Sequence, residues 1–201
     1  MIRGGSREVR SFVALELPES LKNEIAGALD KCRMISAKEV KWVEFQNLHF
    51  TLQFFGSVNE DSLSKISHSL KKIFSNLSSF AVHSATIELY PRNSDKYQNP
   101  RIIWVRCSCN DISIENTVCD IQDIMEDLSL PIDKRPFKMH ITLGRVKRSL
   151  SAEQIIQLSN INLSGSVWTI NKATLYESRL NSHGPEYFRL CSYELKNSRQ
   201  T

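Results

Sequence analysis

His49-Phe50-Thr51-Leu52 and His140-Ile141-Thr142-Leu143 carry one pattern twice: histidine, apolar residue, threonine, leucine. Random order of this composition, with 5 histidines among 201 residues, yields about 0.02 such phrases, so two copies ask for a shared cause. Read as extended strand, each phrase sets His and Thr two positions apart on one face. Phe50 and Leu52, or Ile141 and Leu143, then point to the other. One face is chemical and the other is core. Both phrases lie in apolar runs, Leu48 to Phe55 and Phe137 to Val146, of the kind that builds a sheet covered by helices on its far side.

The flanking sequence repeats as well. Ser11 to Leu17 predicts a strand, and Pro18 opens a helix to about Arg33 with the apolar stripe Leu21, Ile25, Ala28, Leu29 and Cys32. Val40 to Val43 predicts a short strand and Glu44 to Asn47 a turn, before the first phrase, whose strand is expected to end at Gly56. Asn59 caps a helix over Ser62 to Leu77, Phe80 to Tyr90 is a long strand, and Pro91 to Pro100 is a loop. The order then recurs: strand Ile102 to Cys107, helix Asp111 to Leu128, turn at Pro131, second phrase, helix Ala152 to Ser159, strand Leu163 to Ile170. Phe12 and Ile103 lie 91 positions apart, as do His49 and His140, which predicts an internal repeat over 11–90 and 101–171. Strands Ala173 to Arg179 and Tyr187 to Leu195 form a C-terminal hairpin, 173–195, and the residues from Lys196 on are expected to fray. A repeated unit within one domain, 1–201, predicts two lobes related by an approximate twofold axis, with the chemical faces meeting across a groove.

Composition sets bounds on partners. With 41% hydrophobic residues the chain can build a sizeable core, and a net charge of +4 suits an anionic ligand without the charge density of a strong nucleic-acid binder. The five cysteines form no Cys-x-x-Cys pair and read as reduced, mostly packed thiols. No run is long and apolar enough for a membrane span and the start has no signal-peptide core, so a cytoplasmic, non-membrane protein is expected.

Two imidazoles of ordinary pKa near 6.5 facing each other can supply one acid and one base near neutral pH. Such a pair suits in-line displacement at phosphorus: the base takes a proton from the nucleophile while the acid protonates the departing oxygen. Hydroxyls of Thr51 and Thr142 on the same faces can donate to the non-bridging phosphate oxygens. Neither phrase places a carboxylate two positions from its histidine, so no metal and no other cofactor is expected. On the residues alone, either histidine could be the acid.

The paired phrases resemble those of the two-histidine (2H) phosphoesterase superfamily, and the surrounding residues are similar to its LigT-type RNA 2′,3′-cyclic phosphodiesterases. The likeness runs through Arg10 to Pro18, Val40 to Val43, Phe54 to Gly56, Pro100 to Val105, Pro136 to Arg145, Leu175 to Leu180 and Gly184 to Tyr187, and so covers almost the whole chain in order. It implies a bilobal α+β fold in which each lobe is an antiparallel β-sheet backed by helices. It also implies metal-independent hydrolysis of a 2′,3′-cyclic phosphate to a 2′-phosphate, on RNA 3′ ends or small cyclic nucleotides; a monomer is expected. By position it makes His49 the proton donor to the leaving 3′ oxygen and His140 the acceptor that activates water. Thr51 and Thr142 hold the phosphate, and Arg145 is a basic group near the nucleotide. The resemblance leaves open reverse joining through a 2′,5′ linkage, action on 2′,5′-linked oligonucleotides or another cyclic phosphate, and a non-catalytic module that only binds nucleotides or RNA ends. Met139 and Gly144 depart from the family's usual Pro and Ala and bear on local shape.

Among the other candidates, His68, His83 and His183 lack the phrase and read as structural. Trp42 and Trp104 read as core, while Phe54, Phe55 or Tyr97 could stack a terminal base. Arg101, Arg106, Arg135, Lys138, Arg145, Lys147 and Arg148 crowd the second half and would attract phosphate if they line the groove.

Overall fold

The computed structural model describes residues 7–91, 100–109, 111–133, 135–182 and 184–197. In chain order it runs β1 (Val9–Leu15), α1 (Glu19–Ser36), β2 (Val40–Trp42), a 3-10 turn (Phe45–Asn47), β3 (Phe50–Val58), α2 (Glu60–Phe74) and β4 (Phe80–Tyr90). It continues with β5 (Ile102–Ser108), α3 (Ser113–Asp127), β6 (His140–Val146), α4 (Ala152–Ser159), β7 (Trp168–Ile170), β8 (Lys172–Asn181) and β9 (Gly184–Glu194).

The helices follow from their ends and stripes. Asn59 accepts a 2.8 Å bond from the Ser62 amide at the start of α2, where Glu60 and Asp61 complement the helix dipole and Lys71 and Lys72 do so at its end. Ser151 and Gln154 form a reciprocal capping box on α4. On α2, Ile66, Leu70 and Phe74 are buried; each such side chain contributes about 1.5–3 kcal/mol on leaving water. The core they join includes Val13, Leu15, Phe50, Leu52, Ile103, Val105, Ile141 and Leu143, all on one face of the sheet. Phe12, Ala14 and Trp104 are also buried but lie outside that cluster. Helices cover one face only.

All the strand pairs are antiparallel, in the order β7-β4-β5-β6-β3-β1-β8-β9, with β2 against the far half of β6. Thus α+β architecture and two antiparallel lobes are both present, joined where β3 and β6 meet at Phe50 and Ile141. The chain crosses between lobes: β4 pairs with β5, and β8 returns to pair with β1. Helix contacts obey the same approximate twofold, α1 meeting α4 as α2 meets α3.

The strand registers refine the repeat. Gln53 and Thr51 face the consecutive residues Val13 and Ala14, which leaves Leu52 as the extra residue of a bulge. Gly144 and Thr142 likewise face Ile103 and Trp104, leaving out Leu143. The bulges are equivalent, but they equate Val13 with Ile103 and Ala14 with Trp104, so Phe12 corresponds to Ile102 and not to Ile103. The 91-residue offset of the motif strands is 90 in the strands beside them.

Several boundaries differ from expectation. Gly56, at φ +76°, lies inside β3 at a second irregularity of the β1 pairing, and the strand continues to Val58. Only Trp168–Ile170 of the expected strand from Leu163 forms; before it, Ser164 binds the Glu24 carboxylate and Ser166 through its side chain. Lys196 is held rather than frayed, its amide donating to the Leu77 carbonyl and its carbonyl accepting from Ser79. The expected loop falls largely on residues 92–99, outside the described residues, as do Tyr97 and His183. All five cysteines are free; Cys32 and Cys107 are buried while Cys119 and Cys191 are exposed. Among the described residues no helix is long and apolar enough to cross a membrane.

Candidate active site

The face without helices carries both motifs. Phe50, Leu52, Ile141 and Leu143 are at most 5% exposed, whereas His49, Thr51, His140 and Thr142 are half-buried, so the alternation read from the sequence is realised in both strands. The antiparallel pair Phe50–Ile141 sets His49 level with Thr142 and Thr51 level with His140.

Each imidazole is oriented in the same way. The His49 Nδ1–H donates to the Asn47 carbonyl at 2.7 Å, and the His140 Nδ1–H donates to the Lys138 carbonyl at 2.7 Å. A carbonyl can only accept, so both neutral rings are Nδ1–H tautomers with Nε2 as the unprotonated atom. His49 Nε2 accepts from the Thr51 hydroxyl at 2.9 Å.

The walls differ. His49 packs 5.0 Å from the Phe12 ring and meets Tyr187 edge-on at 5.4 Å, with Tyr176 stacked behind Phe12 at 5.2 Å. His140 lies 4.5 Å from Trp104, which stacks on Tyr90 at 4.6 Å and donates its indole N–H to Glu88 at 3.3 Å. Trp104 is thus buried as expected, but against a motif histidine and not in the helical core. Burial pushes the His49 imidazolium down to about 4, against the Asn47 hydrogen bond, and the neighbouring His140 lowers it further. Burial also lowers the His140 pKa; the Lys138 carbonyl opposes this and the Lys138 ammonium adds to it.

The bulges decide what else reaches this face. In a regular strand, residues three apart point to opposite faces, so Phe54 would oppose Thr51 and Arg145 would oppose Thr142. With Leu52 and Leu143 bulged out, parity reverses. Phe54 is 52% exposed with its ring 5.4 Å from Phe12, while Phe55 is buried in the core. Arg145 is exposed and lies near Tyr187, whose hydroxyl it and Arg10 draw down against the rise caused by burial. Lys41 faces Arg145 across β2 and β6, and its ammonium approaches Gly184 of the hairpin. The hairpin is pinned there by Asn47, whose side-chain amide donates to the Pro185 carbonyl at 3.1 Å.

Three of the remaining basic residues, Arg106, Arg135 and Lys138, lie beside the Trp104–Tyr90 wall of His140. Arg106 pairs with Glu88 at 3.7 Å, Arg135 with Asp133, and Lys138 lies over the Tyr90 ring. His68 is exposed on α2 and His83 is half-buried on β4, both away from the motif strands. Among the described residues no three His, Cys, Asp or Glu converge as a metal-ion site. Phe12, Tyr176, Tyr90 and Tyr187 were not candidates from sequence. The run Phe12 to Leu17 is apolar almost throughout, and only a sheet with helices on one side explains why alternate members of it can line a site.

Comparison with known proteins gives concordant matches. The family model described as LigT like Phosphoesterase matches residues 15–104 and 112–187. A relative from Methanothermobacter thermautotrophicus, named RNA 2′,3′-cyclic phosphodiesterase, is 31% identical over 90% of this chain and 95% of its own. One of the same name from Archaeoglobus fulgidus is 27% identical over 92% of this chain and 100% of its own. A solved protein from Thermus thermophilus superposes with a TM-score of 0.80 over 94% of this chain and 100% of that one, at 23% identity.

Proposed function

Because this chain belongs to the LigT like Phosphoesterase family, we propose that it is an RNA 2′,3′-cyclic phosphodiesterase in which His49 and His140 divide the proton transfers. The observation that carries this reading is the matched pair of Nε2 atoms, each fixed by a 2.7 Å bond from its own Nδ1 to the carbonyl two residues earlier. A ring so fixed can exchange a proton only through Nε2.

In the proposed reaction the cyclic phosphate sits between the two rings, with the Thr51 and Thr142 hydroxyls donating to its non-bridging oxygens. His140 Nε2 takes a proton from water as the water oxygen bonds to phosphorus. The bond from phosphorus to the 3′ oxygen breaks, and His49 Nε2–H gives its proton to that oxygen. The products are a 2′-phosphate and a 3′-hydroxyl, and the enzyme is left with its proton on the other ring. Which ring is acid follows the family resemblance; the resting state adds a condition. Burial leaves His49 neutral at rest, and the negative charge of the bound phosphate favours the imidazolium, so the ring takes up its proton from solvent as substrate binds. Arg145 supplies a cation for the same anion.

Two imidazoles perform both transfers, so the step asks for no metal-bound water. Both come from one chain, which supports action as a monomer, and five free thiols suit the reducing cytoplasm. An oligonucleotide ending in a 2′,3′-cyclic phosphate, incubated in EDTA, tests the reading: a 2′-phosphate product is expected, and its absence would overturn it.

A further inference from the structure

The equivalent bulges equate Trp104 with Ala14, and the residues paired to them, Glu88 on β4 and Thr174 on β8, with one another. There the two halves part in chemistry. Thr174 donates its hydroxyl proton to Glu16, whereas Glu88 accepts the Trp104 indole N–H at 3.3 Å. The fold is satisfied by alanine at this place in the first half, so the indole in the second calls for its own reason. Trp104 is 7% exposed, too covered to receive a ligand. What it faces is His140, with ring centroids 4.5 Å apart and planes tilted by 46°. Tyr90 stacks on the indole from behind at 4.6 Å, and the largely buried Glu88 carboxylate ties down its N–H.

We propose that Trp104, held by Glu88 and Tyr90, is a positioning residue whose π face stabilises the imidazolium of His140, the charge that forms there as the base takes its proton from water. An aromatic face attracts a cation within about 6 Å of its centroid, indole most strongly, and a desolvated cation gains most. The other charged and titratable groups around the ring are Lys138, whose carbonyl holds Nδ1, and Arg106, opposite His140 across the β5–β6 pairing and 3.7 Å from Glu88. Beyond these stand Tyr90, Arg135 beside it in its pair with Asp133, and His49. Lys138 and Arg106 disfavour a positive ring and Glu88 offsets Arg106, which leaves the indole to favour it. His49 is backed by the phenyl ring of Phe12 at 5.0 Å, a weaker face. The proposal rests on the reading of His140 as base given above, and it supplies a structural reason why like motifs do unlike jobs.

Monofluoro- and trifluorotryptophan, incorporated at all three tryptophans, weaken the π face while keeping the shape of the indole. The His140 titration midpoint, followed by NMR of the imidazole, should fall stepwise with fluorination, by about one pH unit at the trifluoro stage. The weaker base should lower kcat by about threefold. In Trp104→Phe the midpoint should lie below that of wild type, and fluorination of the remaining two tryptophans should leave it unmoved. Glu88→Leu, which releases the indole, should lower the midpoint more in the wild-type chain than in Trp104→Phe; an equal fall in both would overturn the part given to Glu88. A midpoint that stays fixed or rises across the fluorinated series would overturn the proposal, because a wall that only keeps water away is unchanged by fluorine. The midpoint is read without substrate and so stands apart from turnover: failure of the wild type to hydrolyse a cyclic-phosphate end would instead overturn the underlying activity.

Discussion

Phe50 faces Ile141 across the middle of the sheet, and among the described residues this is the backbone pair through which the two motif strands meet. One step to either side of that pair, the chain presents a histidine level with the other motif's threonine. The pair is buried, both side chains being 0% exposed, so the junction is anchored in the helical core while its polar neighbours remain half-open.

The tie between His49 and Thr51 gives the first prediction. Thr51→Val keeps the shape but removes the hydroxyl that donates to Nε2 and that, in the proposed reaction, donates to phosphate. A fall in kcat of about 10²-fold is expected in steady-state assays, with the melting temperature little changed. Wild-type kcat would rule out a role for the hydroxyl.

Arg145→Ala should raise KM roughly tenfold and weaken the dependence of KM on salt, because one charge-assisted contact to an anion is lost. An unchanged KM would remove Arg145 from the binding site.

Stability should depend on pH through His49. Its pKa is about 4 in the folded protein against 6.5 ordinarily, so between those values the unfolded chain binds the extra proton. Stability therefore rises with pH across this window and is lost as pH falls from 6.5 toward 4; His140, also lowered, acts in the same direction. Urea unfolding of wild type and His49→Gln at a series of pH values from about 4.5 to about 7.5 should show a shallower slope in the variant. Parallel curves would contradict the assignment.

Gly144 is fixed by its neighbours. A Cβ there would lie 2.6 Å from Val40 Cγ1 and 2.8 Å from Trp42 Cε3. The family's usual alanine is therefore excluded here by the residues of β2. Gly144→Ala should destabilise by about 1–3 kcal/mol in chemical unfolding, and Val40→Ala in the same chain should recover part of that loss. Strict additivity of the two substitutions would count against the clash.

Much of this arrangement is legible in the sequence, and its limits are physical. Alternation in His49 to Leu52 and His140 to Leu143 identifies the chemical face because a period of two survives locally. The bulges at Leu52 and Leu143 do not show, since an extra apolar residue in an apolar run leaves the pattern intact. The parity of Phe54 and Arg145 and the slip from 91 to 90 were hidden with them. Nor could local signals reveal that β4 leaves its own repeat to pair with β5, or that β8 and β9 return to β1, because those are choices among distant partners. Trp104 reads as core for the same reason: hydrophobicity marks burial, not which side of the sheet buries it.

The central claim is that two imidazoles, one from each motif, move the protons at a single cyclic phosphate. Phosphorus NMR of an oligonucleotide 2′,3′-cyclic phosphate in EDTA, followed with wild type, His49→Gln and His140→Gln, tests it most directly. The expected result is conversion to the 2′-phosphate alone by wild type, and a fall of about 10²–10⁴-fold in rate for each variant while its fold is retained. A 3′-phosphate product, or a folded variant of either histidine that keeps the wild-type rate, would contradict it.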